Sequence, residues 1–330
     1  MNICENCFND EEIQTSIRNH NLKGNCDLCT ASDVYIVNID EYEDFFSELL
    51  SLYEINEKGE DIVTIIQRDW DLFSNPEFAS FIIDYFLEKF PHFSLKDKVN
   101  YKDYVYKYKD KWNELKEEIR TKTRFYSSLM SYFDENGSLL KSNRSIITGE
   151  NFYRARIVPL NKTYLTKKDM GCPPSNHATA GRANPVGIPY LYLCKQPETT
   201  IYETRALYLD KVTIGTFNIK RDLNILDFTA SISLFLAYTE EIDLSEVVSQ
   251  YLLRKQISAD LSKPLRRYDT ELEYVPTQSV CEYCKLKEID GIIFKSSLHN
   301  NGINLVLFDE NNAECIKVKT IEVKKVEISI

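Results

Sequence analysis

Apolar residues recur three or four apart in the first half of this chain and gather into short runs in the second half. After Asn75-Pro76, residues Phe78, Phe81, Ile82, Tyr85 and Phe86 share one helical face, and Phe90-Pro91 marks that helix's end. From about Lys102 to Phe125, residues Tyr104, Tyr108, Trp112, Leu115 and Ile119 form a second stripe, which predicts a core face rather than a ligand site. Residues 35–135 therefore read as mainly helical. Asp134-Glu-Asn-Gly137-Ser reads as a turn or linker. Beyond it, Phe152–Val158, Tyr190–Cys194, Val212–Ile219, Gly291–Phe294 and Asn304–Phe308 read as strands interleaved with helices. The tail from Glu314 to Ile330 alternates Ile and Val with Lys and Glu, as a half-buried terminal strand pair does. Three segments follow from this texture: 1–32, 33–145 and 146–330. The expected fold class is α+β.

The 330 residues are 43% hydrophobic and 28% charged, enough apolar material for more than one core. No run approaches the roughly 18 apolar residues that cross a bilayer, so no membrane association is expected. Met-Asn-Ile-Cys-Glu-Asn-Cys has neither a basic start nor an apolar stretch behind it, and the expected location is cytoplasmic. A net charge of −11 argues against nucleic acid as a partner, because phosphate backbones need a basic field. It leaves room for a small anionic ligand, since a pocket needs only a few local arginines.

Four of the nine cysteines lie at the N-terminus as Cys4-x-x-Cys7 and Cys26-x-x-Cys29, with eighteen residues between the pairs. Each pair can form a tight knuckle presenting two thiolates, and two knuckles complete a tetrahedron around a metal ion. Four cysteine ligands leave no open coordination position, so a structural Zn²⁺ is expected. His20 lies between the knuckles and is not needed as a ligand. Cys281-x-x-Cys284 sits in a predicted helix, where both sulfurs share one face and are expected to pack as small apolar groups.

Three of the ten glycines and four of the ten prolines fall between Gly171 and Pro189. Such a window is an ordered loop with special backbone needs, and loops of this kind often carry function. Around it stand Phe152-Tyr-Arg154-Ala-Arg156, Gly181-Arg182-Ala-Asn184-Pro-Val-Gly187, Tyr190-Leu-Tyr192-Leu and Pro197-Glu-Thr-Thr-Ile-Tyr-Glu203-Thr-Arg205. Later come Tyr274-Val-Pro-Thr-Gln278, Asp290-Gly-Ile-Ile-Phe-Lys-Ser296-Ser297 and Gly302-Ile-Asn-Leu-Val-Leu-Phe308. Taken singly, each arginine, glutamate or serine is an ordinary surface or cap residue. Their joint occurrence points to a site.

Over residues 150–310 this order and wording resemble the RES family, named for its arginine, glutamate and serine. The resemblance implies an ADP-ribosyltransferase-like mixed β core and NAD⁺ as substrate. It also implies kinship with bacterial toxins that degrade NAD⁺ or attach ADP-ribose to proteins, and with toxin–antitoxin pairs. By motif, Arg154, Arg182, Tyr192 and Glu203 take the family's catalytic positions. Ser296 takes the serine position with Ser297 as its near rival. Asn184 and Gln278 are further candidates for NAD⁺ contact, and Arg156 is a weaker one. Ala183 stands where many members carry an aromatic residue, which removes any stacking contact from that position.

The residue types suit the chemistry. Arginines bind a pyrophosphate through paired, charge-assisted hydrogen bonds. An aromatic ring such as Tyr192 can stack on nicotinamide. Cleaving the nicotinamide–ribose bond builds oxocarbenium character that a carboxylate at Glu203 can stabilise. Nicotinamide leaves as a neutral molecule, so no second carboxylate is needed as an acid. With no histidine pattern beside it, Ser296 is expected to bind phosphate or ribose rather than attack.

Residues 33–145 resemble the helical domain that precedes RES domains and is related to the HEPN group. Many HEPN ribonucleases use an arginine followed four to six residues later by histidine. No such pair occurs here: His92 has no arginine at that distance, and no histidine follows Arg68 or Arg124. Assembly, sensing or self-inhibition is the expected role, with self-association and an antitoxin or regulatory protein as partners. The leading expectation for the whole chain is a hydrolase or phosphorylase acting on NAD⁺. A protein ADP-ribosyltransferase using the same site and a non-catalytic binding module are the alternatives.

Overall fold

The computed structural model describes residues 1–135, 143–263 and 271–325. The chain divides into two compact units, Met1–Lys111 with Ser231–Leu252, and Trp112–Ala230 with Leu253–Ile330. Among the described residues no helix is long and apolar enough to cross a membrane.

In the first unit, Val34–Asn38 forms the centre of a three-stranded sheet between Asn2–Cys4 and Lys23–Gly24. The helix Glu11–Asn19 follows Asp10, whose carboxylate accepts the free N–H groups of Glu12 and Ile13 at 3.0 Å each. Helices Glu43–Ser51, Ile62–Trp70 and Pro76–Lys89 supply most of the remaining core. Asn75 caps the last of these and Pro76 opens it, as the sequence predicts. Its buried face runs through Ala79, Ile82, Ile83, Phe86 and Leu87, while Phe81 is exposed. Two strands, Tyr53–Glu60 and Val99–Tyr101, interrupt the helical middle. Phe46 stacks on Phe86 at 4.5 Å within a core that also takes in Leu234, Phe235, Leu244 and Val248.

The second unit is built on an eight-stranded sheet. Its strands in chain order are β1 (Asn143–Ile146), β2 (Asn151–Ile157), β3 (Leu191–Cys194), β4 (Lys211–Ile219), β5 (Leu223–Asp227), β6 (Gly291–Lys295), β7 (Ile303–Leu307) and β8 (Ala313–Glu322). Across the sheet they run β8-β4-β2-β3-β7-β6-β5-β1. Among the described residues only β5 and β6 pair in parallel, so the sheet is mixed and the fold class is α+β. Helix α1 (Pro197–Thr204) follows β3, and α2 (Val275–Leu286) precedes β6. The helix Lys107–Thr121 buries Trp112, Leu115 and Ile119 as the stripe predicts, but Tyr104 lies before it and is exposed. The tail forms one strand, β8, rather than a pair within the described residues, and positions 326–330 of the expected run lie outside them. The predicted turn over Asp134–Ser138 also lies partly outside them.

One face of the sheet carries Phe152, Leu191, Leu193, Phe217, Ile293, Leu305 and Leu307 into a core. Side chains alternate across a strand, so Tyr153, Cys194, Asn304 and Phe294 fall on the other face. That face holds the site.

Candidate active site

Strand β2 pairs with β4 from Asn151 through Ile157 but meets its other neighbour, β3, only at Tyr153 opposite Cys194. Where β2 and β3 part, a cavity of about 350 Å³ opens. Arg154, Arg182, Tyr192 and Glu203, predicted from four separate motifs, all line it. Tyr153, Tyr274, Phe294 and Asn304 line it as well and were not singled out by the sequence. Register explains part of the set: Tyr153 lies opposite Cys194, Cys194 opposite Asn304, and Asn304 opposite Phe294, one row across four strands.

Glu203 projects from the last turn of α1, which Pro197 opens and which Arg205 closes in a left-handed conformation (φ 50°). Its Oε1 accepts hydrogen bonds from Ser296 Oγ at 2.7 Å and Asn304 Nδ2 at 2.8 Å. Ser296 Oγ in turn accepts the backbone N–H groups of Leu298 (3.1 Å) and His299 (3.2 Å), which directs its proton at the carboxylate. Cys194 Sγ donates to Asn304 Oδ1 at 3.3 Å and fixes which end of that amide faces Glu203. Ser297 turns elsewhere, donating to the Ser262 carbonyl at 2.5 Å. The geometry therefore distinguishes the two serines. Oε2 of Glu203 keeps no protein donor among the described residues.

Arg154 also lines the cavity, although alternation along β2 places it on the Phe152 face, where Arg156, Cys172 and Glu310 are its electrostatic neighbours. Its Nη1 is buried and has no hydrogen-bond partner in the protein. Burial, reinforced by the neighbouring Arg156 charge, pushes the guanidinium's pKa down from its usual value. A buried cationic donor without a partner is costly unless a ligand supplies an acceptor. Arg156 donates to the Gly171 carbonyl at 2.6 Å, and the Cys172 N–H donates to Glu310 at 2.7 Å, fixing the start of the glycine–proline loop. The Cys172 thiol is pushed up to about 11 by burial and the nearby Glu310 carboxylate.

The Gly181–Asn184 turn presents Arg182, and several predicted ligand contacts hold that turn. Tyr192 Oη accepts the Ala183 N–H at 3.1 Å and donates to Asn184 Oδ1 at 2.7 Å. Gln278 Nε2 donates to the carbonyls of Gly181 (2.8 Å) and Asn184 (3.0 Å), and Thr277 Oγ1 donates to that of Arg182 at 2.6 Å. Asn184 and Gln278 are both buried. A Cβ on Gly181 would lie 2.4 Å from Asn184 Oδ1 and 2.6 Å from Tyr192 Oη, so this turn requires glycine. Ala183 is fully buried. Arg182 itself is half-buried, tied to the protein by one long contact to the Leu261 carbonyl at 3.4 Å.

The four N-terminal cysteines gather as their spacing predicts, with all four sulfurs within 4.8 Å of one another. Cys4 lies 3.7 Å from Cys7 and 3.4 Å from Cys29, and Cys7 lies 3.7 Å from Cys26. Tetrahedral thiolates about 2.3 Å from a zinc ion stand about 3.8 Å apart, so the donor set fits Zn²⁺. His20 is not part of this cluster. Cys281 and Cys284 are fully buried, and burial raises both thiols, Cys284 to about 12. They pack in α2 as apolar groups.

No curated protein matches the chain. One matching solved structure is the M. tuberculosis MbcT–MbcA toxin–antitoxin complex, at 13% identity, covering 59% of this chain and 92% of that one, with a TM-score of 0.33. The family model for the RES domain matches residues 152–329, more than half of the chain and the whole stretch from Arg154 to Ser296. This chain belongs to the RES domain family.

Proposed function

We propose that the second unit cleaves the nicotinamide–ribose bond of NAD⁺. One observation carries the reading: one cavity is lined by a carboxylate that two donors orient, Glu203, and by two arginines, Arg154 and Arg182. In this reading Arg154 and Arg182 take the pyrophosphate oxygens. Glu203 faces the ribose, where the bond from C1′ to the ring nitrogen breaks and positive charge builds on the sugar. The bonding pair leaves with the ring, giving neutral nicotinamide, and the ADP-ribosyl group passes to water, phosphate or a side chain. Ser296 and Asn304 hold Glu203 in place, both donating to Oε1 of its carboxylate.

Mixing the purified protein with NAD⁺ and following free nicotinamide tests this. Wild type is expected to release nicotinamide at least a hundredfold faster than Glu203→Gln, and equal slow release by both overturns the assignment. Labelled NAD⁺ then identifies the acceptor: free ADP-ribose means water, its phosphate ester means phosphate, and a labelled protein band means transfer.

The Cys4, Cys7, Cys26 and Cys29 cluster is read as a closed structural Zn²⁺ site that fixes the N-terminal segment. The first unit is read as a control or assembly module. An antitoxin or regulatory protein is the partner that resemblance to RES toxins implies.

A further inference from the structure

Resting on the NAD⁺ reading, we propose that Tyr153, rather than Tyr192, is the ring that stacks on nicotinamide. The hydroxyl of Tyr192 is held on both sides by Ala183 and Asn184, and the end of its ring lies against Gly181. It is a strut for the turn that carries Arg182. Tyr153 differs on each count. It lines the cavity half-buried, and no described residue holds its hydroxyl.

Its place in the sheet supplies the geometry. Tyr153 lies opposite Cys194, and Cys194 lies opposite Asn304, the residue that holds Glu203. Neighbouring strands are about 4.8 Å apart, so Tyr153 and Asn304 stand about 10 Å apart across the row. The residue between them is a small one, and its thiol is turned onto Asn304 Oδ1. A planar ring seated above Cys194 therefore lies against the face of Tyr153 on one side. On its other side, the bond from ring nitrogen to C1′ lies next to the Glu203 carboxylate.

The chemistry gives the interaction a kinetic signature. Nicotinamide is cationic while joined to ribose, and an aromatic face attracts that charge. The charge leaves the ring as the bond breaks, so stacking favours bound substrate over the transition state. Loss of Tyr153 is expected to raise KM more than it lowers kcat.

The test uses the full-length chain. NAD⁺ binding to Glu203→Gln is measured by calorimetry with and without Tyr153→Leu or Tyr153→Phe. Tyr153→Leu is expected to weaken binding about tenfold, and Tyr153→Phe to stay within twofold of the parent. Binding unchanged by Tyr153→Leu overturns the proposal. Should Tyr153→Leu melt early, Tyr153→Trp replaces it, and the introduced indole is expected to lose fluorescence as NAD⁺ binds; no quenching overturns the proposal. Failure of the NAD⁺ reading is seen separately, as absence of nicotinamide release by wild type. In that case N-methylnicotinamide, the cationic ring alone, is the probe. Binding that Tyr153→Leu abolishes supports the slot, and no binding, or binding it leaves unchanged, overturns it.

Discussion

Asn304 donates its side-chain amide to Glu203 at 2.8 Å, so a residue inside an apolar strand orients the one carboxylate that lines the cavity among the described residues. The amide cannot rotate freely, because its oxygen accepts from Cys194. Hydrogen bonds to charged groups contribute about 1.5–3 kcal/mol. Asn304→Ala is therefore expected to lower kcat for nicotinamide release roughly 10- to 150-fold with little change in KM, because binding is carried by the arginines. A large rise in KM at normal kcat would place Asn304 on the substrate instead.

The two serines separate by the same logic. Ser296 holds Glu203, and Ser297 holds only the Ser262 carbonyl. Ser296→Ala is expected to cost about tenfold or more in kcat while leaving a measurable rate, as a positioning residue does and a nucleophile does not. Ser297→Ala is expected to stay within about twofold, since its bond is exposed and does not involve the carboxylate. Steady-state kinetics on both variants checks this, and complete loss with Ser296→Ala would favour covalent chemistry.

How much of this was legible beforehand depended on where each signal lay. Arg154, Arg182, Tyr192 and Glu203 come from four motifs spread over fifty residues, and all four line one cavity. Asn304 was hidden because Ile303-Asn-Leu-Val-Leu reads as an ordinary apolar strand. Its signal was a polar residue in a segment otherwise buried, which demands a partner that only the fold supplies. The role of Gln278 in holding the Gly181 turn also depends on contacts about a hundred residues apart in sequence. β1 and β5 were missed since Asn-Arg-Ser-Ile and Leu-Asn-Ile-Leu-Asp lack clean alternation and gain their place from neighbours. Phe81 and Tyr104 misled for another reason. Periodicity gives a face to within a residue or so, and large rings are often left exposed at its margin. No local pattern shows that Phe235 and Val248 join the core formed by Phe46 and Phe86.

The cysteine cluster gives a metal-removal prediction. Cys4, Cys7 and Cys26 are buried in the same core as Ile3, Phe8 and Ile13. The cavity lies wholly in the other unit. The purified protein is expected to carry about one zinc per chain by elemental analysis. Chelation or Cys26→Ser is expected to melt the first unit early and to leave at least half of the nicotinamide release. Activity that falls in step with zinc would contradict this separation.

Gly181 tests the loop that Tyr192 supports. A methyl group there would overlap Asn184 Oδ1 and Tyr192 Oη, and neither can retreat without breaking its own hydrogen bonds. Gly181→Ala is expected to displace Arg182 and reduce kcat/KM about a hundredfold, in line with losing a charge-assisted contact. Tyr192→Phe removes both of that hydroxyl's hydrogen bonds to the same turn without adding a clash, and is expected to produce a milder form of the same defect. A Gly181→Ala protein with normal kinetics would mean that the turn does not position Arg182.

Cysteine labelling supplies a pH test. Burial raises Cys172 to about 11 and Cys284 to about 12, so at pH 8 almost no thiolate is present at either. The thiolate is the reactive form, and because these values lie above the ordinary thiol range, labelling must grow as pH rises toward them. Cys172 is partly exposed and is expected to react with iodoacetamide about tenfold faster for each pH unit between 8 and 10. Cys281 and Cys284 are fully buried and are expected to stay unlabelled until the second unit unfolds. Because the Cys172 thiol is an electrostatic neighbour of the Arg154 guanidinium, a ligand drawn onto that arginine is expected to cover the approach to the sulfur. Saturating NAD⁺ with Glu203→Gln is expected to slow Cys172 labelling severalfold while leaving Cys315 unaffected. Mass spectrometry of the labelled peptides distinguishes the two sites, and equal protection of both would point to a general tightening of the fold rather than occupation of the arginine.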